Sequence, residues 1–178
     1  MNPNIDIVTN RLHLVPISPE TLEALISQDV DRATSLHQLT ITEEFVSSLE
    51  SAFLSTQLDG VRDRPFDSGW FVRAIVRIDD DVVIGHCGFH GPPEVVGRAE
   101  IGYNILPSYR ANSYATEAVN GLVAWANQQG FPVVVAAIAP TNRASMRVAE
   151  KAGFYQTGER TDTYNGVESQ MLVFESRI

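Results

Sequence analysis

Apolar residues recur at every second position in Arg11-Leu-His-Leu-Val-Pro16, which predicts a short edge strand closed by its proline. Ser18-Pro-Glu-Thr-Leu then reads as a helix start, with Ser18 as N-cap and Pro19 at the first helical position. After a poorly patterned stretch, Phe45, Val46, Leu49, Phe53 and Leu54 fall at helical spacing and predict one helix over 42–58. At Trp70 the pattern becomes extended. The runs 70–78 and 82–90 are rich in β-branched and aromatic residues, and Asp79-Asp-Asp81 between them predicts a hairpin turn.

A Gly/Pro-rich loop over 91–97 leads to a third extended run, 98–106, and strands then alternate with helices. The helix predicted over 113–129 turns Ala115, Ala118, Leu122, Trp125 and Ala126 to one face and stops at Gly130. The continuous apolar run 133–139 fits a strand buried on both faces. A capped helix over 142–152 places Ala144, Val148, Ala149 and Ala152 inward, and two last strands over 154–159 and 168–176 flank a turn at Asn165-Gly166. The pattern amounts to one α/β (α+β) domain over 1–178, with about seven strands and about four helices.

One run says most about chemistry. Ile101-Gly-Tyr-Asn-Ile-Leu-Pro-Ser-Tyr-Arg-Ala-Asn-Ser-Tyr-Ala-Thr-Glu-Ala118 reads as a strand feeding a tight loop that opens directly into a helix. The first N–H groups of a helix lack intrahelical partners and carry the positive end of its dipole, so the loop is an anion cradle. A phosphate is its natural occupant.

Composition narrows the partners. The formal charge of -9 and pI near 4.8 argue against nucleic acid and mildly favour a cationic substrate such as an amine. An acidic surface also serves solubility alone. With Cys87 the single cysteine, no intrachain disulfide and no Cys-rich zinc framework can form. The first ten residues lack the charged start and apolar core of a secretory signal, and the longest apolar run, 131–139, is too short to cross a bilayer as a helix. The expectation is a cytoplasmic protein without a membrane partner.

Three linked segments carry a resemblance: Ala99-Glu-Ile-Gly-Tyr-Asn-Ile, then Tyr109-Arg-Ala-Asn-Ser-Tyr-Ala-Thr-Glu-Ala118, then Asn142-Arg-Ala-Ser-Met-Arg-Val-Ala-Glu-Lys-Ala-Gly-Phe154. In this order and spacing the chain resembles the GNAT superfamily of acetyl-CoA-dependent N-acetyltransferases. It is most similar there to the branch of the ribosomal-protein N-terminal acetyltransferases. The resemblance implies a mixed, mostly antiparallel central sheet, acetyl-CoA as co-substrate without a metal, an amine-bearing acceptor, and a monomer or homodimer. A catalytically weak acyl-CoA-binding or regulatory module is the alternative.

The family's pyrophosphate loop maps onto Arg110, Ala111, Asn112, Ser113, Tyr114 and Ala115. Ser113 stands where glycine is expected, and Ala111 stands where this branch commonly has another. A serine there either tilts the cradle through its Cβ or adds a hydroxyl donor to it. The resemblance also implies that the backbone of Tyr103, Asn104, Ile105 and Leu106 binds the pantetheine arm. At about 3.3 Å per extended residue, the thioester then falls near Tyr103 or Gly102.

Glu100, just upstream, is the expected general base, or else a carboxylate that binds the substrate ammonium or faces solvent. Asn142 resembles the residue that bonds the pantetheine amide and is equally a good N-cap. Ser145 is expected to hydrogen-bond the CoA sulfur, or to cap the helix start. The place where many relatives carry a leaving-group tyrosine holds Ala149. His86 and His90, four apart on a strand, lie about 13 Å apart and cannot share a metal. Nothing local activates Cys87 as a nucleophile. Trp70 and Phe71 read as core.

Overall fold

A computed structural model of the chain describes residues 6–164 and 167–177. Its framework is one eight-stranded sheet. Two N-terminal strands, β1 (Ile7–Val8) and β2 (Leu12–Pro16), lead to helices α1 (Pro19–Ile26), α2 (Val30–His37), α3 (Glu43–Ser47) and α4 (Ser51–Asp63). A 3-10 turn, Pro65–Trp70, enters the hairpin β3 (Val72–Arg77) and β4 (Val82–Phe89). Then follow α5 (Pro93–Val96), β5 (Ala99–Ile105), a 3-10 turn at Pro107–Tyr109, α6 (Tyr114–Gln128), β6 (Val133–Ile138), α7 (Arg143–Lys151), β7 (Tyr155–Tyr164) and β8 (Val167–Arg177). The spatial order is β1-β2-β3-β4-β5-β6-β8-β7, and β5 with β6 is the parallel pair in an otherwise antiparallel sheet.

Each face of the sheet has its own core. On one, Leu122, Trp125 and Ala126 of α6 pack against Ile84, Ile101 and Ile105. On the other, Leu22, Leu25, Phe45, Leu54 and Val61 of the early helices cover Val72, Ala74 and Val83. Arg73 is the largest polar side chain inside: its Nη atoms donate to Leu14 O at 3.1 Å and Gly69 O at 3.0 Å, and its guanidinium lies 4.9 Å from the Trp125 ring. Burial lowers its pKa to about 10, so it remains a cation.

Several elements depart from the sequence pattern for physical reasons. The single helix expected over 42–58 is two, α3 and α4, because the chain turns at Leu49 and Glu50 to bring both apolar faces onto the sheet. The poorly patterned stretch holds α2, capped by the Asp29 side chain on Arg32 N–H at 3.0 Å. Residues 93–96 of the Gly/Pro loop close into α5. β2 is not an edge, since β1 pairs beyond it, and Trp70 precedes β3 inside the 3-10 turn while remaining buried as core. The sheet thus has eight strands where about seven are expected, with seven helices among the described residues where about four are expected. β7 and β8 run longer than their apolar pattern; the Asn165-Gly166 turn lies outside the described residues. No helix among the described residues is long and apolar enough to cross a membrane.

Candidate active site

β5 and β6 stay together for only two residues, Ala99 with Val134 and Glu100 with Val135, and then separate. Along its other edge β5 remains paired with β4 from Ile101 to Ile105. His90 N–H donates to Glu100 O at 2.9 Å and Leu106 N–H to Ile84 O at 2.9 Å, so the even-numbered residues of β5 bond across to β4. The backbone groups of Tyr103 and Ile105 therefore point into the gap. Ile105 O accepts from Arg110 Nε at 2.9 Å.

A cleft of about 470 Å³ opens at this split. Tyr103, Asn104 and Ile105 line it from β5; Arg110, Ala111, Ser113, Tyr114 and Ala115 from the loop and first turn of α6; Asn142, Ala144 and Ser145 from the start of α7. Ala144, expected to face inward, instead borders the cleft. Two expected members are absent from its lining. Leu106 is fully buried among the early helices, and Asn112 turns its amide back to Tyr109 O at 3.1 Å and Arg110 O at 3.0 Å.

Ala111 and Ser113 both take left-handed backbone, with φ of 64° and 63°. Side chains there are disfavoured by roughly 1–2 kcal/mol each. The loop nonetheless keeps the fold that glycines would make easy, because it is braced from outside. The carboxylate of Glu117, in the first turn of α6, accepts from Arg11 N at 2.8 Å, Arg11 Nε at 2.7 Å and Thr9 Oγ1 at 2.7 Å. Arg11 also donates to Asn112 O at 3.2 Å and lies 4.5 Å from the Tyr114 ring centre. Burial alone would raise the Glu117 pKa; hydrogen bonds from Thr9 and Arg11 outweigh it and hold the carboxyl below its ordinary value.

At α7, Asn142 is the N-cap: its Oδ1 accepts from Ser145 N–H at 3.0 Å, leaving the amide's own N–H donors uncommitted to the cap. Tyr103 spans the split and donates its hydroxyl to Ser145 O at 3.0 Å. Ala149 is buried in the core, so no side chain reaches the cleft from that position. Arg110, Arg147 and Lys151 line the cleft, and no Asp or Glu does. In a chain of net charge -9 that is a marked segregation.

Glu100 lies on the opposite face of the sheet, its side chain 4% exposed. Its carboxylate takes Arg160 Nη2 at 2.5 Å, Arg160 Nη1 at 2.7 Å and Arg98 Nε at 2.6 Å, with His90 Nδ1 at 3.3 Å. Burial pushes its pKa up, but hydrogen bonds from His90, Arg160 and Arg98 prevail and hold it far below the usual carboxylate range. Glu100 is thus not solvent-facing, and the carboxylate expected to act as general base is held in an ion-pair network. Its lone pairs are already committed.

His86 on the same face stacks against Phe53 at 5.3 Å, and Cys87 is fully buried with its thiol pushed up to about 12, mainly by that burial. Neither is an activated group. Among the described residues no cluster of His, Cys, Asp and Glu is arranged to hold a metal. Arg11 with Glu117, and Arg160 with Glu100, were missed from the sequence because each pair joins distant segments. One local signal existed: Arg160 and Asp162 alternate on one face of β7 and pair at 2.6 Å.

The chain is similar to known proteins in sequence and in fold. A family model described as acetyltransferase (GNAT) domain matches residues 11–155. The uncharacterized N-acetyltransferase YoaA of Bacillus subtilis (strain 168) is 30% identical over 156 residues, covering 84% of this chain and 82% of its own. Among solved structures, the ribosomal L7/L12 alpha-N-protein acetyltransferase RimL has a TM-score of 0.66 at 17% identity, covering 98% of this chain and 94% of its own. The microcin C7 self-immunity acetyltransferase MccE, solved with acetyl-CoA and AMP, has a TM-score of 0.65 at 17% identity, covering 96% of this chain and 94% of its own. At these identities the structures speak for the fold, while the family model and YoaA speak for descent. With a split strand pair and a braced loop ahead of α6 framing its cleft, and with the family model and YoaA matching over most of its length, the chain is a member of the GNAT N-acetyltransferases.

Proposed function

We propose that the protein transfers an acetyl group from acetyl-CoA to a primary amine by direct attack, with no covalent enzyme intermediate. The observation that carries this reading is the cleft at the β5–β6 split, cationic in lining and edged by the stretch of β5 that β6 no longer pairs. Such a cleft suits a long, polyanionic thioester. Acetyl-CoA supplies an activated acyl group with a good leaving thiolate.

In this reading the backbone N–H groups at 111–115 and the start of α6 hold the pyrophosphate. Arg147 and Lys151 add charge along the outer cleft. Tyr103 presents its N–H and C=O groups, and Ile105 its N–H, to the amides of the arm, and Asn142 and Ser145 hold it from α7. The thioester is thereby brought to the split beside Tyr103, and the acceptor amine comes from the other face, where Glu100 and His90 lie. A free peptide amino terminus and a small-molecule amine both fit that chemistry. RimL's acceptor, a protein amino terminus, supports including peptides.

The test is a thiol-release screen with acetyl-CoA across free-amine peptides, amino acids and polyamines, with acetylated product confirmed by mass spectrometry. Turnover on at least one class is expected. The buried Ala149, which leaves no leaving-group donor at its position, favours a second reading, an acyl-CoA-binding module. Tight binding with no turnover on any acceptor would select it.

A further inference from the structure

We infer that His90 accepts the proton of the substrate ammonium and that Glu100 is its positioning residue. This rests on the acetyl-transfer reading and names the group that reading leaves unassigned.

Two hollows meet at one side chain. The large cleft lies on the α6–α7 side of β5, and a small hollow of about 70 Å³ lies on the side covered by α4. Phe53, His86, His90 and Gly102 line the small one, and Tyr103 borders both. It has room for about two waters, hence for the reacting end of a narrow amine. An acceptor entering it reaches the split strand from the face opposite the thioester.

Glycine at position 102 keeps that route open. A Cβ there would stand 3.3 Å from His90 Nε2, so the imidazole lies directly over the strand where the two hollows adjoin. His90 Nδ1 faces Glu100 Oε1 at 3.3 Å. With Nδ1–H directed to the carboxylate, Nε2 carries the lone pair and faces the hollow. The side chain is 56% exposed, which gives an accepted proton a path to water.

The neighbours narrow the choice to this group. Glu100 has both oxygens occupied by Arg98, Arg160 and His90, and Arg160 is itself paired with Asp162. His86 sits deeper, where burial lowers its pKa to about 4 and leaves Nδ1 without a hydrogen-bond partner. A base that weak holds no proton at neutrality. An imidazole in contact with both solvent and the hollow is the group able to cycle one.

The step balances as follows. The ammonium gives one proton to His90 Nε2, and the freed nitrogen lone pair forms a bond to the thioester carbonyl carbon as the C–S bond breaks. The thiolate leaves and acquires the nitrogen's second proton through water. His90 returns the first proton to solvent.

The test compares wild type with H90Q, H90A and E100Q, using propylamine and the best acceptor of the screen at pH 8, with acetyl-CoA binding measured by calorimetry. H90Q is expected to lose about 100-fold in kcat/KM for the amine, while its Kd for acetyl-CoA stays within about twofold of wild type. Free imidazole should restore part of the H90A rate, and E100Q should lower kcat about tenfold with KM for acetyl-CoA unchanged. A rescued H90A distinguishes a proton acceptor from a packing residue. Unchanged kcat/KM in H90Q, or a deficit that imidazole does not relieve, overturns the assignment while leaving acetyl transfer intact. A wild type that binds acetyl-CoA but acetylates no amine overturns both.

Discussion

Arg11 and Glu117, 106 residues apart, are joined by two hydrogen bonds, from Arg11 N at 2.8 Å and Arg11 Nε at 2.7 Å, that tie the start of β2 to the first turn of α6. The same guanidinium reaches Asn112 O, so the tie extends into the loop ahead of α6. A loop with two left-handed non-glycine residues needs such a brace to hold its N–H groups in one arrangement. Arg11→Gln should therefore raise KM for acetyl-CoA about tenfold with kcat little changed, since a loss of about 1.4 kcal/mol in binding is one decade. Steady-state kinetics with acetyl-CoA varied would show it; an equal fall in kcat would mean the brace acts elsewhere.

Ala111 at φ 64° offers the converse experiment. Ala111→Gly removes the Cβ conflict but loosens the unfolded chain, and the net stabilisation expected is about 1 kcal/mol or less. Denaturant melts measure it. A destabilised Ala111→Gly would show that the alanine methyl contributes contacts outweighing its backbone strain.

Acid sensitivity has two separable windows. Glu100 is held below its ordinary value, so its network contributes stability that is complete above about pH 4.5 and lost as pH falls below that. His86 is also lowered, to about 4 from an ordinary 6.5, and its contribution is complete above 6.5 and lost as pH falls from there toward 4. Glu100→Gln should thus flatten the stability curve below about pH 4.5, and His86→Leu should flatten it between 6.5 and 4. Urea melts across pH 3.5–8 separate the two. A His86→Leu curve parallel to wild type throughout would place that imidazole in contact with water.

Tyr103→Phe removes the hydroxyl that joins β5 to Ser145 O across the split. A neutral hydrogen bond of this kind contributes about 1 kcal/mol. The variant should melt slightly earlier and bind acetyl-CoA with a faster off-rate, because the two walls of the cleft lose their cross-link. Stopped-flow dissociation is the readout, and an unchanged off-rate would argue that the walls are held by packing alone.

Local pattern made much of this legible. Alternation located β2, β-branched and aromatic runs located β3 and β4, a continuous apolar run located β6, helical spacing with a glycine stop located α6, and the Ser18-Pro19 start marked α1, because each is a rule about neighbours in sequence. The strand-loop-helix run over 101–118 could be read for the same reason, and the family resemblance then singled out Arg110 to Ala115 within it. What escaped was set by tertiary contact. Whether Glu100 is free depends on Arg160, sixty residues away on β7, and the break between α3 and α4 depends on the sheet beneath them. His90 was set aside because the sequence question was metal ligation with His86; its partner is Glu100, across a strand pair.

Acetyl-CoA titrated into the protein, watched by calorimetry, tests the central claim most directly. Wild type should bind one equivalent, and charge reversal at Arg147 and Lys151 should weaken binding about tenfold or more through lost attraction to the phosphates. No heat of binding at millimolar acetyl-CoA would contradict the assignment of the cleft and the acetyl transfer built on it.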